Sequence, residues 1–130
     1  MKRSLRFIAP GLLLILAVLA CAERTFADLR VYSARPGSAS LFYDKGTDKI
    51  LADDVWVFRP DGTFSAVVNA DGQRLTLSGR YGGDDAGEDF VFAIDTNGDG
   101  KYDDDLYASD DFSYIEWRRE SGTTRYSLAP

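Results

Sequence analysis

Beyond residue 27 this chain reads as all-β: a small antiparallel up-and-down meander of eight or nine strands closing into a barrel, with a two-sheet β-sandwich as the alternative. Three observations predict it. Short runs rich in Val, Phe, Tyr, Leu and Thr alternate with clusters of Gly, Asp, Asn and Ser. Most neighbouring runs are separated by only a few turn residues, so successive strands pair as hairpins. No longer stretch carries a convincing helical period. A meander of this many short strands hides its edges most simply by closing on itself.

The elements follow in order. Leu29–Ser33 is a first strand, ended by Arg35-Pro36-Gly37-Ser38, and Ala39–Asp44 (ASLFYD) is a second. Thr47–Asp53 predicts one short helical turn capped by Thr47. The hairpins begin with DVWVF, turn at Pro60-Asp61-Gly62, continue as TFSAVV, and turn again at Asn69-Ala70-Asp71-Gly72. In the next strand, QRLTLSGRY, Leu75, Leu77 and Gly79 share one face and Arg74, Thr76, Ser78 and Arg80 the other. Gly82–Asp89 reads as a polar loop, DFVFAI as a strand, and Asp105–Ser109 as its return. DFSYIEWRR and TTRYSLA close the chain as a hairpin about Glu120-Ser121-Gly122. Phe90–Ile94 is apolar on both faces, which predicts cover on both sides or one face against a partner.

Residues 1–27 are expected to be an export signal and 28–130 the single β domain. Lys2, Arg3 and Arg6 precede the apolar run Phe7–Ala20, whose core is too short to span a bilayer comfortably. Two processing routes fit. Val18-Leu19-Ala20-Cys21 resembles a lipobox, with the cut before Cys21 and that cysteine lipidated; Thr25-Phe26-Ala27 offers the small-x-small pattern of ordinary cleavage before Asp28. The expected location is therefore periplasmic or secreted, or the outer membrane through a lipid anchor at Cys21. The chain has one cysteine, so no internal disulfide is available.

Charge narrows the partners. Losing residues 1–27 removes four of 15 basic residues and one of 21 acidic ones, leaving 11 against 20 and a net charge of −9. So acidic a surface repels phosphate backbones, which argues against nucleic acid, and it suits cations. The absence of histidine excludes a Ser-His-Asp triad, a Cys-His pair and a His-ligated zinc site. Most carboxylates lie in turns, where solubility explains them, so the chain reads as non-catalytic.

Trp56-Val57-Phe58-Arg59-Pro60-Asp61-Gly62-Thr63-Phe64, followed by Ser78-Gly79-Arg80-Tyr81, resembles the W-x-F-x-x-D-G-x-F … G-x-Y pattern of small bacterial lipocalin-like domains. The resemblance covers Thr47 to Pro130 and implies a closed barrel. Trp56, Phe58, Phe64, Tyr81, Phe90, Phe92, Tyr107, Phe112, Tyr114 and Trp117 are candidates for its interior. At this chain length they are expected to fill it.

The stretch DTNGDGKYDDD, Asp95–Asp105, sets five carboxylates in eleven residues directly after an apolar strand. Asp95, Asn97 and Asp99 alternate, and Gly100 follows the third. A hard cation needs six to eight oxygens, and alternate oxygen-bearing side chains before a sharply turning glycine wrap a backbone around one ion. The pattern resembles the D-x-[DN]-x-D-G calcium loop of EF-hands, dockerins and thrombospondin type 3 repeats. Asp95, Asn97, Asp99, Asp103 and the carbonyl of Lys101 are the candidate calcium ligands. The twelfth place holds Leu106 where an EF-hand carries Glu, so Asp104, Asp105, Asp84, Asp85 or Asp110 would complete the shell. The functional expectation is an exported, calcium-stabilised binding or interaction module of the bacterial envelope, partnered by another envelope protein. A carrier of a small apolar ligand is the alternative.

Overall fold

The computed structural model describes residues 25–86 and 89–130; most of the segment expected to be an export signal, residues 1–24 with Cys21, lies outside them. In chain order the elements are β1 (Arg30–Ser33), α1 (Ala39–Phe42), β2 (Tyr43–Asp44), β3 (Lys49–Ile50), β4 (Val55–Phe58), β5 (Thr63–Ala70), β6 (Gln73–Ala86), β7 (Asp89–Asp95), β8 (Asp104–Ala108), β9 (Tyr114–Arg119) and β10 (Gly122–Leu128). Eight of the strands, β1 and β4 to β10, close into an antiparallel barrel; β2 and β3 form a separate two-stranded ribbon. Consecutive strands from β4 to β10 pair with their neighbours, as a meander requires. β1 closes the ring by pairing with both β4 and β10, which leaves the barrel without an edge and rules out the sandwich.

Turn chemistry explains the register. The β5–β6 hairpin turns on Asp71 and Gly72, both at positive φ (54° and 78°). Two left-handed residues make the turn whose twist matches its flanking strands. Asn69 and Ala70 belong to β5 rather than to the turn. At the β4–β5 turn Asp61 Oδ1 accepts the backbone N–H of Thr63 at 2.9 Å and its hydroxyl at 2.7 Å, and Gly62 takes φ 90°.

Strand β6 is the long member. Its first half, Gln73–Arg80, pairs with β5 and its second half, Arg80–Ala86, with β7. This stagger is the tilt that closes an eight-stranded barrel. At the hand-over, a Cβ on Gly79 would stand 1.7 Å from the carbonyl oxygen of Asp95, so only glycine lets the two backbones approach.

Inward positions alternate as the pleat demands. Tyr32, Trp56, Phe58, Phe64, Ala66, Val68, Ala70, Tyr81, Phe92, Ile94, Leu106, Ala108, Ile115, Trp117 and Tyr126 form the buried interior, with Leu75 and Leu77 packed against it. The rings pack on one another: Trp56 lies 5.7 Å from both Phe64 and Trp117, and Phe58 lies 5.0 Å from Tyr81. Tyr107 and Tyr114, candidates for the interior, face outward instead, each beneath an arginine at 3.8 Å, Arg118 and Arg125 respectively. The side chain of Phe90 lies outside the described residues.

A second apolar cluster sits outside the barrel wall. Phe42 and Tyr43 cover Val31, Val55 and Val57, which is why β4 is buried on both faces. Two expectations fail here. Ala39–Asp44 is not one strand: Ala39–Phe42 forms a helical turn that swings Phe42 onto the wall, and the Ala39 N–H donates to the Pro130 carbonyl at 2.8 Å. Thr47–Asp53 is not a capped helical turn. Lys45–Asp48 is a turn, Asp48 takes φ 54°, and Lys49–Ile50 pairs back onto β2. Gly82–Asp89 likewise departs from the polar loop expected. Gly82–Ala86 extends β6 because β7 needs a partner for its backbone along that length.

Candidate functional site

The acidic loop joins β7 to β8 at one rim of the barrel. Asp95, the last residue of β7, is 2 % exposed, the only buried carboxylate among the described residues. Its Oδ1 accepts the N–H groups of Asn97 (3.3 Å) and Gly98 (2.8 Å), and its Oδ2 that of Gly100 (2.9 Å). Gly98 and Gly100 adopt φ 76° and 86°, which curls these donors back onto the carboxylate. Burial works to raise the Asp95 pKa, but the N–H bonds from Gly100, Gly98 and Asn97 outweigh it and hold the group below its ordinary value.

The alternation continues outward. Asn97 Oδ1 accepts the Asp99 N–H at 3.1 Å, and Asp99 Oδ1 accepts the Lys101 N–H at 2.8 Å. Each Asn or Asp thus caps the backbone two residues on, a chain of Asx turns. Asp103 faces Thr96, accepting its N–H (3.1 Å) and hydroxyl (2.8 Å). Asp104 reaches β9, where its Oδ2 accepts the Trp117 indole N–H at 3.0 Å. A recess of about 50 Å³ beside Asp95 is lined by Arg80, Gly100 and Tyr102. Among the described residues no group of three or more acidic or cysteine side chains is arranged to share a metal ion. Asp95, Asn97, Asp99 and Asp103 therefore sit in one loop, each engaged with backbone N–H, and they retain oxygen lone pairs beyond those bonds. Asp105 and Asp110 point to solvent, and the side chains of Asp84 and Asp85 lie outside the described residues.

Two grooves lie on the barrel's outer surface. One, of about 670 Å³, is bounded by β1, α1 and the β2–β3 turn, with Leu29, Val31, Tyr43 and Leu51 among its lining. Leu41 and Leu51 nearby are 63 % and 51 % exposed, the most exposed of the large apolar side chains described. The other, of about 420 Å³, lies over β8 and β9, where Tyr107, Tyr114, Glu116 and Arg118 line it. Glu116 there holds Arg118 at 3.1 Å and Arg125 at 2.8 Å, so Arg118 of the basic island Trp117-Arg118-Arg119 is balanced locally.

Arg119 behaves differently. Its Nε and Nη1, with Trp56 Nε1 and Tyr126 Oη, are buried without a hydrogen-bond partner. Trp56 and Tyr126 stand near enough to influence each other's polar atoms but make no bond of good geometry. Such a group of buried donors is ordinarily met by an internal water. Sequence reasoning missed Tyr126, Tyr32 and Phe26 as interior residues. Tyr126 and Tyr32 were legible from strand alternation, whereas Phe26 sits inside the segment read as leader. Compared with protein-family models, curated proteins and solved structures, the chain finds no match.

Proposed function

We propose that this chain is an exported, non-catalytic binding or interaction module of the bacterial envelope, built on a lipocalin-like barrel whose acidic loop is stabilised by calcium. The observation that carries this reading is the filled interior. Trp56, Phe58, Phe64, Tyr81, Phe92, Trp117 and Tyr126 pack ring on ring where a carrier needs space, so recognition falls to the outer surface. The basic leader with its apolar run supports export, to the periplasm or medium, or to the outer membrane through a lipidated Cys21. The lack of histidine supports a non-catalytic role.

The calcium part rests on the spacing of Asp95, Asn97 and Asp99, on the recess beside Asp95, and on a net charge that favours cations. Asp95, Asn97, Asp99 and Asp103 with the Lys101 carbonyl would hold the ion, which would supply the positive charge that backbone N–H groups meet only in part. A melting series tests it. Calcium is expected to raise the melting temperature and chelator to lower it, and Asp99→Ala to abolish the difference. Equal melting with and without calcium would leave the loop as a chain of Asx turns alone.

The outer groove of about 670 Å³ favours a second reading, carriage of a small apolar ligand. A fluorescent fatty acid separates the two. The interaction reading expects no saturable binding to the purified protein; saturable binding that is displaced by unlabelled fatty acid, and lost in Leu51→Asp, supports carriage.

A further inference from the structure

Thr25-Phe26-Ala27 is one of two candidate cleavage motifs, yet in the structure this segment is part of the barrel. Phe26 is 8 % exposed and belongs to the interior cluster. Its ring lies 5.1 Å from Phe92, 5.5 Å from Phe112, 5.8 Å from Phe58, 5.9 Å from Tyr81 and 6.4 Å from Tyr32. The Arg30 guanidinium stands over it at 4.4 Å. Its backbone N–H donates to Tyr81 Oη at 3.1 Å, and that hydroxyl donates in turn to the Arg59 carbonyl at 2.7 Å. The Thr25 hydroxyl donates to the Pro60 carbonyl at 3.3 Å. The segment plugs the barrel end beside the β4–β5 turn and ties that turn to the start of the domain.

Cleavage after Ala27 removes this plug. Five aromatic rings lose their common neighbour, and the interior opens to water at that end. Cleavage between Ala20 and Cys21 leaves the plug in place on a four-residue lead, Cys21–Arg24. Building on the export reading above, we infer that the signal is cut N-terminal to Thr25, and that Thr25-Phe26-Ala27 is a structural plug of the mature barrel rather than a processing site. Of the two cuts predicted, the hydrolysed bond is Ala20–Cys21: water adds its hydroxyl to the Ala20 carbonyl carbon, and the Cys21 nitrogen leaves as a free amine.

Intact-mass and N-terminal peptide measurement of the full chain, expressed in an exporting bacterial host, tests this. A mature N-terminus at Cys21 is expected. A start at Asp28 overturns the inference and leaves export standing; an unprocessed Met1 start overturns the export reading beneath it. A second measurement reads the plug itself. In the full chain, Phe26→Ala is expected to lower the melting temperature by roughly 10 °C or more, with Phe26→Leu restoring most of it. Melting unchanged in Phe26→Ala removes the plug and the argument with it.

Discussion

Single residues decide two features of this barrel. At Gly79 the missing side chain is structural, because any Cβ would stand 1.7 Å from the Asp95 carbonyl oxygen. Gly79→Ala is therefore expected to destabilise by more than about 2 kcal/mol, read as a lowered denaturation midpoint. At Asp95 one carboxylate gathers three N–H groups of the loop, whereas Asp99 gathers one. In chelator, Asp95→Ala is expected to lower the melting temperature clearly more than Asp99→Ala does. Equal losses would show that the turn does not depend on its buried carboxylate. The pH dependence has a definite sign. Asp95 titrates lower folded than unfolded, so its contribution is complete above about pH 5 and fades as pH falls through 4 and below. Acid melts of the wild type should show this loss, and Asp95→Asn should reduce it, the lowered carboxyls of Asp48, Asp61, Asp111 and Glu116 supplying the rest.

Among the elements, the β8–β9 seam, like β1–β10, carries a ladder of only two registered pairs. Only Tyr107↔Glu116 and Ala108↔Ile115 are in register there, against eight pairs between β5 and β6. The Trp117 indole bond to Asp104 spans the unpaired remainder. Amide exchange is expected to be faster in Asp104–Leu106 than along Phe64–Val68, since local opening follows the thinner ladder. Uniform protection around the barrel would contradict that. The same scale shows where sequence periodicity succeeds. Alternation along Arg74–Arg80 puts Leu75 and Leu77 on one face as read, and the structure packs that face against the interior; Asp71-Gly72 turns where the dipeptide demands. It fails at Ala39–Asp44, where strand-forming residues take a helical turn because burying Phe42 against Val31, Val55 and Val57 outweighs local preference. It fails again at Gly82–Ala86, whose loop-like composition is overridden by β7's need for a pairing partner.

For the molecule as a whole, stability rests on a closed ring of strands around an aromatic interior. Burial raises the phenol pKa values of Tyr32, Tyr81 and Tyr126. Each is neutral when folded at a pH where the unfolded chain has begun to ionise. The stabilisation they give is whole below about pH 10 and is lost as pH climbs beyond it. Cooperative unfolding above pH 10, coincident with tyrosinate absorbance, is the expected result. Ionisation of all the tyrosines with the fold intact, beyond that of the accessible Tyr102, Tyr107 and Tyr114, would place these phenols in water.

What could be read from the residues alone is local in origin. Period-two alternation and Asp-Gly turns specify strands and hairpins, and the spacing of Asp95, Asn97 and Asp99 before Gly100 marks out the loop between two strands, whose capping by Asx turns the structure shows. The remainder depends on contacts between positions far apart in the chain. β1 closing onto both β4 and β10, Phe42 sealing the outer wall, and Phe26 filling the barrel end all involve partners with no fixed spacing. Local pattern cannot carry that information, because burial energy is realised only once the ring of strands has formed around it.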